Sequence, residues 1–240
     1  MMGQSFRVVS VASNKGGVGK SFVAANIAIE LRNRGMKVGL LDADLDSPYI
    51  VEMVGAIGKV ELTNERRMIP VNFNGMPIMS FALWTPDAFV GASMPGMMHE
   101  RWIEDALTQT DWGDIDLLVV DLPAGLGDEY LTVARIERDR LMGMVVVALP
   151  QVLSGLKRVF ETASYHHLAI LGVIENMSGD VFGSGPIEEY CRENQLKFFG
   201  SIPLDARIRK NHEAHDPSIP KELAKPIELA CNQILAEVKA

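Results

Sequence analysis

The chain has 240 residues, and its 23 Lys plus Arg against 31 Asp plus Glu give a net charge of −8, which opposes broad electrostatic attraction to nucleic acid or an anionic membrane. A chain of this length buries a large core, and with no linker in view one α/β domain over 1–240 is expected. Its two cysteines, Cys191 and Cys231, are too far apart in sequence for a Cys-x-x-Cys site, which excludes a disulfide scaffold and points to a reducing cytoplasm.

The opening MMGQSFRVVSVAS lacks the basic region and long apolar stretch of a signal peptide, and no apolar run approaches the roughly 20 residues needed to cross a bilayer. A soluble, cytoplasmic protein is expected. FRVVSVA (6–12) reads as the first strand and SFVAANIAIELRNRG as the helix after it, with Phe22, Ala25, Ile27, Ala28 and Leu31 in helical periodicity and Gly35 as the stop. KVGLLDA (37–43) is the second strand, which closes a βαβ unit. Residues 52–80 break the rhythm and read as short strands and turns, an excursion at the sheet edge. SMPGMMHERW (93–102) concentrates Met94, Met97 and Met98, a pattern that favours core packing. Further strands are expected at 116–123, 144–150, 168–176 and 197–203. Such continuous apolar runs suit strands covered on both faces. The chain should therefore form a doubly wound, mainly parallel sheet with helices on both sides and ligands at the carboxyl ends of the strands. In the last stretch Leu223, Ile227, Ala230, Ile234 and Val238 share one helical face, as in a docking helix whose outer side is not basic enough for a membrane surface.

SNKGGVGKS, Ser13 to Ser21, joins the first strand to the first helix, the context in which a glycine pattern becomes a phosphate-binding loop. Glycines let backbone N–H groups converge on phosphate oxygens, and the helix amino terminus adds its dipole. Lys20 would hold the β- and γ-phosphates and the Ser21 hydroxyl would ligate Mg2+. The strict pattern has glycine where this chain has Asn14, a residue that tolerates left-handed backbone. Asp42, Asp44 and Asp46 follow the second strand and Asp121 ends another, where carboxylates can hold Mg2+ through water or orient an attacking water. His212 and His215 have helical spacing for a metal pair, but few other ligands lie nearby and a solvated face is favoured. His166 and His167 read as residues at a helix end.

On these residues the chain resembles the deviant Walker A group of P-loop ATPases (MinD/ParA-like). Within that group it resembles the Mrp-type iron–sulfur cluster carriers. The Lys-Gly-Gly-Val-Gly-Lys-Ser loop carries the wider resemblance; DADLDSPYI, RRMIPVNFNGMPIMSFALW, DWGDIDLLVVDLPAGLGDEYLTVA, GVIENMS and GSIPLDARIR, in order, carry the narrower one. The resemblance implies ATP/ADP and Mg2+ binding, slow hydrolysis, a face-to-face homodimer and a protein partner or client. Lys15 matches the signature lysine, which touches nucleotide across the dimer interface as an arginine finger would. The implied nucleotide contacts are Lys15, Gly16, Gly17, Val18, Gly19, Lys20, Ser21 and Phe22, with Asn176 and Pro203 framing the adenine. Asp44 matches the acid that positions the attacking water, and Asp42 and Asp121 match acids around Mg2+.

The departures are specific. Cluster carriers of this family place Cys-x-x-Cys soon after ENMS, whereas this chain reads GDVFGSGPIEEYC, with no cysteine there before Cys191. Four thiolates normally hold an iron–sulfur cluster, so the chain is not expected to hold one by itself. Ala124 and Leu126 stand where the family usually has proline and threonine, and Asp46 where an aromatic is common. The rival readings are a cluster carrier with unconventional or partner-supplied ligands and a positioning or partitioning ATPase. Direct DNA or membrane binding is disfavoured by the charge.

Overall fold

The computed structural model describes residues 6–84, 96–125 and 127–239, so Met94 and Leu126 lie outside the described residues, as does the Met97 side chain. The first βαβ unit is β1 (Arg7–Ala12), α1 (Lys20–Asn33) and β2 (Val38–Asp42). Then come α2 (Ile50–Val54), a small antiparallel pair β3 (Glu61–Leu62) and β4 (Met68–Ile69), β5 (Val71–Phe73), β6 (Met76–Ser80) and a short α3 (Phe81–Trp84). After α4 (Gly96–Thr108) the chain alternates through β7 (Leu117–Asp121), α5 (Asp128–Ile136), β8 (Leu141–Ala148), α6 (Leu153–Tyr165), β9 (Ile170–Ser178), α7 (Pro186–Glu193), β10 (Phe198–Pro203) and α8 (Ala206–Glu213). It ends in α9 (Lys225–Val238).

Eight strands form one sheet in the order β10-β9-β8-β1-β7-β2-β6-β5, with every pairing parallel except β5 with β6. The β-branched runs produce it because alternate residues bury on opposite faces: β1 sends Val9 and Val11 to the side of α1 and α9, and Val8 and Ala12 to the side of α4, α5, α6 and α7. The expected doubly wound sheet is therefore present. The six strands expected from the apolar runs all form, although β8 begins at Leu141 and β9 runs on to Ser178.

Three expectations need correction. The 52–80 excursion does supply the sheet edge, β5, but β6 is an interior strand that pairs with β2 from Leu40↔Ile78 to Asp42↔Ser80. Its MPIMS run is short and interrupted by proline, which hides it from a pattern search. Met98 is half exposed, not packed in the core. Leu223 sits in a 3-10 turn before α9, whose Ile227, Ala230, Cys231 and Ile234 do bury as a docking face.

Candidate active site

The strand order places the glycine loop at the switch point. From β1 the chain winds through α1 to β2 on one side, while β8 lies on the other, so the loop opens between diverging connections. Gly17 and Gly19 take φ of +75° and +83°, the left-handed region that glycine enters without penalty. At Gly19 a Cβ would stand 2.2 Å from Asn176 Nδ2, and that amide donates to Val18 O at 2.8 Å. Asn176 thus braces the loop from β9. Gly125 N donates to Ser13 O at 2.8 Å and ties the loop after β7 to the same segment.

Beneath the loop, Lys20 Nζ meets Asp121 Oδ1 at 2.6 Å, and both residues are buried. Strand register accounts for the neighbouring carboxylate, because Asp42 and Asp121 are paired residues on β2 and β7. Burial, with the Asp121 charge beside it, pushes Asp42 up to about 8, while Lys20 pulls the other way. Burial also raises Asp121 against the opposing pull of Lys20 and Ser21. Both Asp42 oxygens are engaged: Oδ1 accepts from Asp44 N, and Oδ2 from Ile50 N and the Ser80 hydroxyl, each at 3.2 Å. Asp121 Oδ2, in contrast, is buried with no hydrogen-bond partner. An orphaned carboxylate oxygen beside the Ser21 side chain fits a site for hydrated Mg2+, whereas Asp42 is built to hold the loop that carries Asp44. Asp44 is half-buried, and its Oδ1 accepts from Ser47 N at 2.9 Å.

Two contiguous cavities open from this point. One of about 650 Å3 is lined by the loop from Lys15 to Phe22 together with Asp44, His99, Ala124 and Glu129. The other, about 370 Å3 and more apolar, lies between Gly19, Phe22, Asn176, Pro203, Leu204 and α8. Phe22 and Gly19 border both. Lys15, Gly16, Gly17, Val18, Gly19, Lys20, Ser21, Phe22 and Asp44 are thus brought together in the first, and Asn176 and Pro203 in the second, while Asp42 and Asp121 line neither cavity and lie fully buried side by side on β2 and β7, Asp121 against Lys20. Lys15 is exposed at the rim.

Of the two histidines read as a solvated face, His215 is exposed, whereas His212 is partly buried. His212 packs on Phe22, with ring centroids 5.1 Å apart, and borders both cavities, and burial lowers its pKa. His215 Nδ1 bonds Glu52 O at 2.7 Å, so the two rings do not converge on a metal. His166 does cap α6. Sequence reasoning missed His99 and Glu129 as lining residues. Glu129 follows directly from the Asp121 segment, but nothing in the chain near His99 signals a return to the phosphate loop.

Over residues 5–239 the chain matches the ParA family model, described as NUBPL iron-transfer P-loop NTPase. It is 36% identical over 248 residues to an iron-sulfur cluster carrier protein of Aquifex aeolicus, covering 96% of this chain and 67% of that protein. A solved nucleotide-binding protein from Archaeoglobus fulgidus, in complex with ADP and with Co, superposes with a TM-score of 0.74 at 31% identity, covering 87% of this chain and 86% of that one. The septum site-determining protein MinD of Pyrococcus horikoshii, complexed with Mg-ADP, gives a TM-score of 0.69 at 25% identity, covering 98% of this chain and 99% of that one.

Proposed function

The chain belongs to the NUBPL iron-transfer P-loop NTPase family, and from that premise we propose that it is a Mg2+-dependent ATPase working as a nucleotide-gated homodimer. The observation that carries this reading is the contrast between its two loop lysines. Lys20 is buried against Asp121, within its own protomer's phosphate cavity, whereas Lys15 stands exposed at the rim, available to a second copy. The A. fulgidus and P. horikoshii proteins with ADP support the choice of ligand.

In this reading the loop N–H groups and Lys20 hold the phosphates, and the apolar cavity between Phe22 and Pro203 takes the base. Mg2+, when bound, supplies charge for the phosphate oxygens, and Ser21 with Asp121 would hold it. Asp42 acts one step back: by accepting from Asp44 N and Ile50 N it fixes the turn that aims Asp44. Asp44 orients the attacking water. Lys15 of the facing protomer completes the cationic shell around the charge that develops on the transferred group.

The iron-sulfur carrier relatives suggest a cluster as cargo. The thiols of this chain do not suit it. Cys191 and Cys231 are both fully buried, and burial raises them to about 11 and about 12, away from the thiolate that iron requires. We therefore place the protein as an ATP-driven switch, in a reducing cytoplasm, whose partner or client supplies any cluster ligands.

Asp44→Ala tests the assignment. The variant should keep ATP affinity within about threefold, lose roughly 100-fold or more in turnover, and accumulate at twice the monomer mass in ATP·Mg2+ by light scattering. Unchanged turnover with monomer only in ATP would refute it.

A further inference from the structure

His99 belongs to neither the glycine loop nor a strand end, yet it lines the phosphate cavity. The residue is only 8% exposed. Its Nδ1 stands 3.3 Å from Glu129 Oε1, in a hydrogen bond, and its Nε2 stands 3.4 Å from Asp46 Oδ1. The second contact has the distance of an ion pair without the angle of a hydrogen bond, so the buried Nε2 is left without a hydrogen-bond partner.

Three segments meet at this ring. Asp46 lies two residues beyond Asp44, on the turn that Asp42 holds. Glu129 lies in the first turn of α5, reached by the loop that leaves Asp121 and is tied to Ser13. His99 itself is on α4, which packs on α5 and anchors in the core one turn later through Trp102 and Ile103. The Asp46 turn and the start of α5 flank the phosphate cavity, and the His99 side chain touches both. A buried imidazole with one bond made, at Nδ1, and a second nearly made, at Nε2, is a contact that a small loop shift would complete, because an unmet buried polar group costs free energy.

We propose that His99 is a positioning residue that joins the Asp44 turn to the first turn of α5, and that it closes on Asp46 when ATP, as opposed to ADP, fills the cavity, the ring then donating from both nitrogens as an imidazolium whose second proton comes from solvent. The closed bond fixes Asp44 for hydrolysis and passes the state of the phosphate site to α4 and α5. This inference rests on the ATPase reading.

The experiment pairs imidazole 15N NMR of the intact protein with steady-state kinetics. The chain has five histidines, and His99→Gln identifies the His99 signals. Between ADP·Mg2+ and a non-hydrolysable ATP analogue those signals should shift, while those of His166 and His167, at the far end of α6, stay in place. His99→Ala should lower kcat roughly tenfold or more with KM for ATP changed less than about threefold. His99→Gln, which can keep one of the two bonds, should recover part of the loss, and His99→Ala combined with Glu129→Gln should be no slower than His99→Ala alone. His99 signals identical in the two nucleotide states, or a loss confined to KM, would overturn the proposal while leaving the ATPase reading intact. A wild-type protein that neither binds nor turns over ATP would overturn both.

Discussion

Gly19 shows how one residue type sets the loop. Its φ of +83° strains any side chain, and a Cβ would meet Asn176 Nδ2 at 2.2 Å, so alanine there must both strain the backbone and displace the brace on Val18 O. Gly17 has a similar φ of +75° but open space around it. Gly17→Ala should therefore cost about 1 kcal/mol of stability without nucleotide, and Gly19→Ala about 2–3 kcal/mol, the difference being the lost hydrogen bond and the steric clash. Urea denaturation of both variants checks this, and equal midpoints would show that Asn176 yields freely. The need for glycine was legible from the motif. The partner that enforces it was not, since Asn176 is 157 residues beyond Gly19 and meets it only through the order of strands. Asp42 carries the same lesson: the resemblance matches it to an acid around Mg2+, and only the strand register reveals that its oxygens also accept from Asp44 N, Ile50 N and the Ser80 hydroxyl.

At the scale of elements, the helices decide what the cysteines can do. Cys191 faces inward on α7 beneath the sheet, and Cys231 Sγ lies 3.8 Å from Ile27 O between α9 and α1. Burial disfavours the charged thiolate, so both thiols hold their protons until pH rises toward about 11 and about 12. Native protein at pH 7.5 should react with a thiol reagent at least 100-fold more slowly than unfolded protein, in which both cysteines react freely. Rapid labelling of Cys191 in the native state would reopen the case for a cluster held by this chain. The strands were legible because runs buried on both faces must be apolar throughout. The places of two elements near the site were not legible. β6 is short and contains Pro77, and α4 places His99 at the phosphate cavity by packing on α5, a long-range contact with no local sequence mark.

Over the whole molecule, the phosphate cavity and the base cavity form one cleft along the carboxyl edge of the sheet, and nothing in the described chain spans the rim where Lys15 stands. In the proposed dimer a second copy presented to that rim would add to the charge that Lys20 provides at the buried end of the phosphate cavity. The doubly wound fold could be read from alternating apolar runs. The cleft's apolar half was marked only through the resemblance, at Asn176 and Pro203, because it is assembled from α8 and the ends of β9 and β10, whose residues carry no joint pattern. The most direct measurement compares Lys15→Ala with Lys20→Ala by calorimetry and by light scattering in ATP·Mg2+. Lys20→Ala should lose ATP binding by 100-fold or more, whereas Lys15→Ala should bind ATP within about threefold of wild type yet fail to dimerise or turn over. Equal, strongly reduced ATP affinity in both variants would contradict the cross-protomer role of Lys15, and with it the nucleotide-gated dimer.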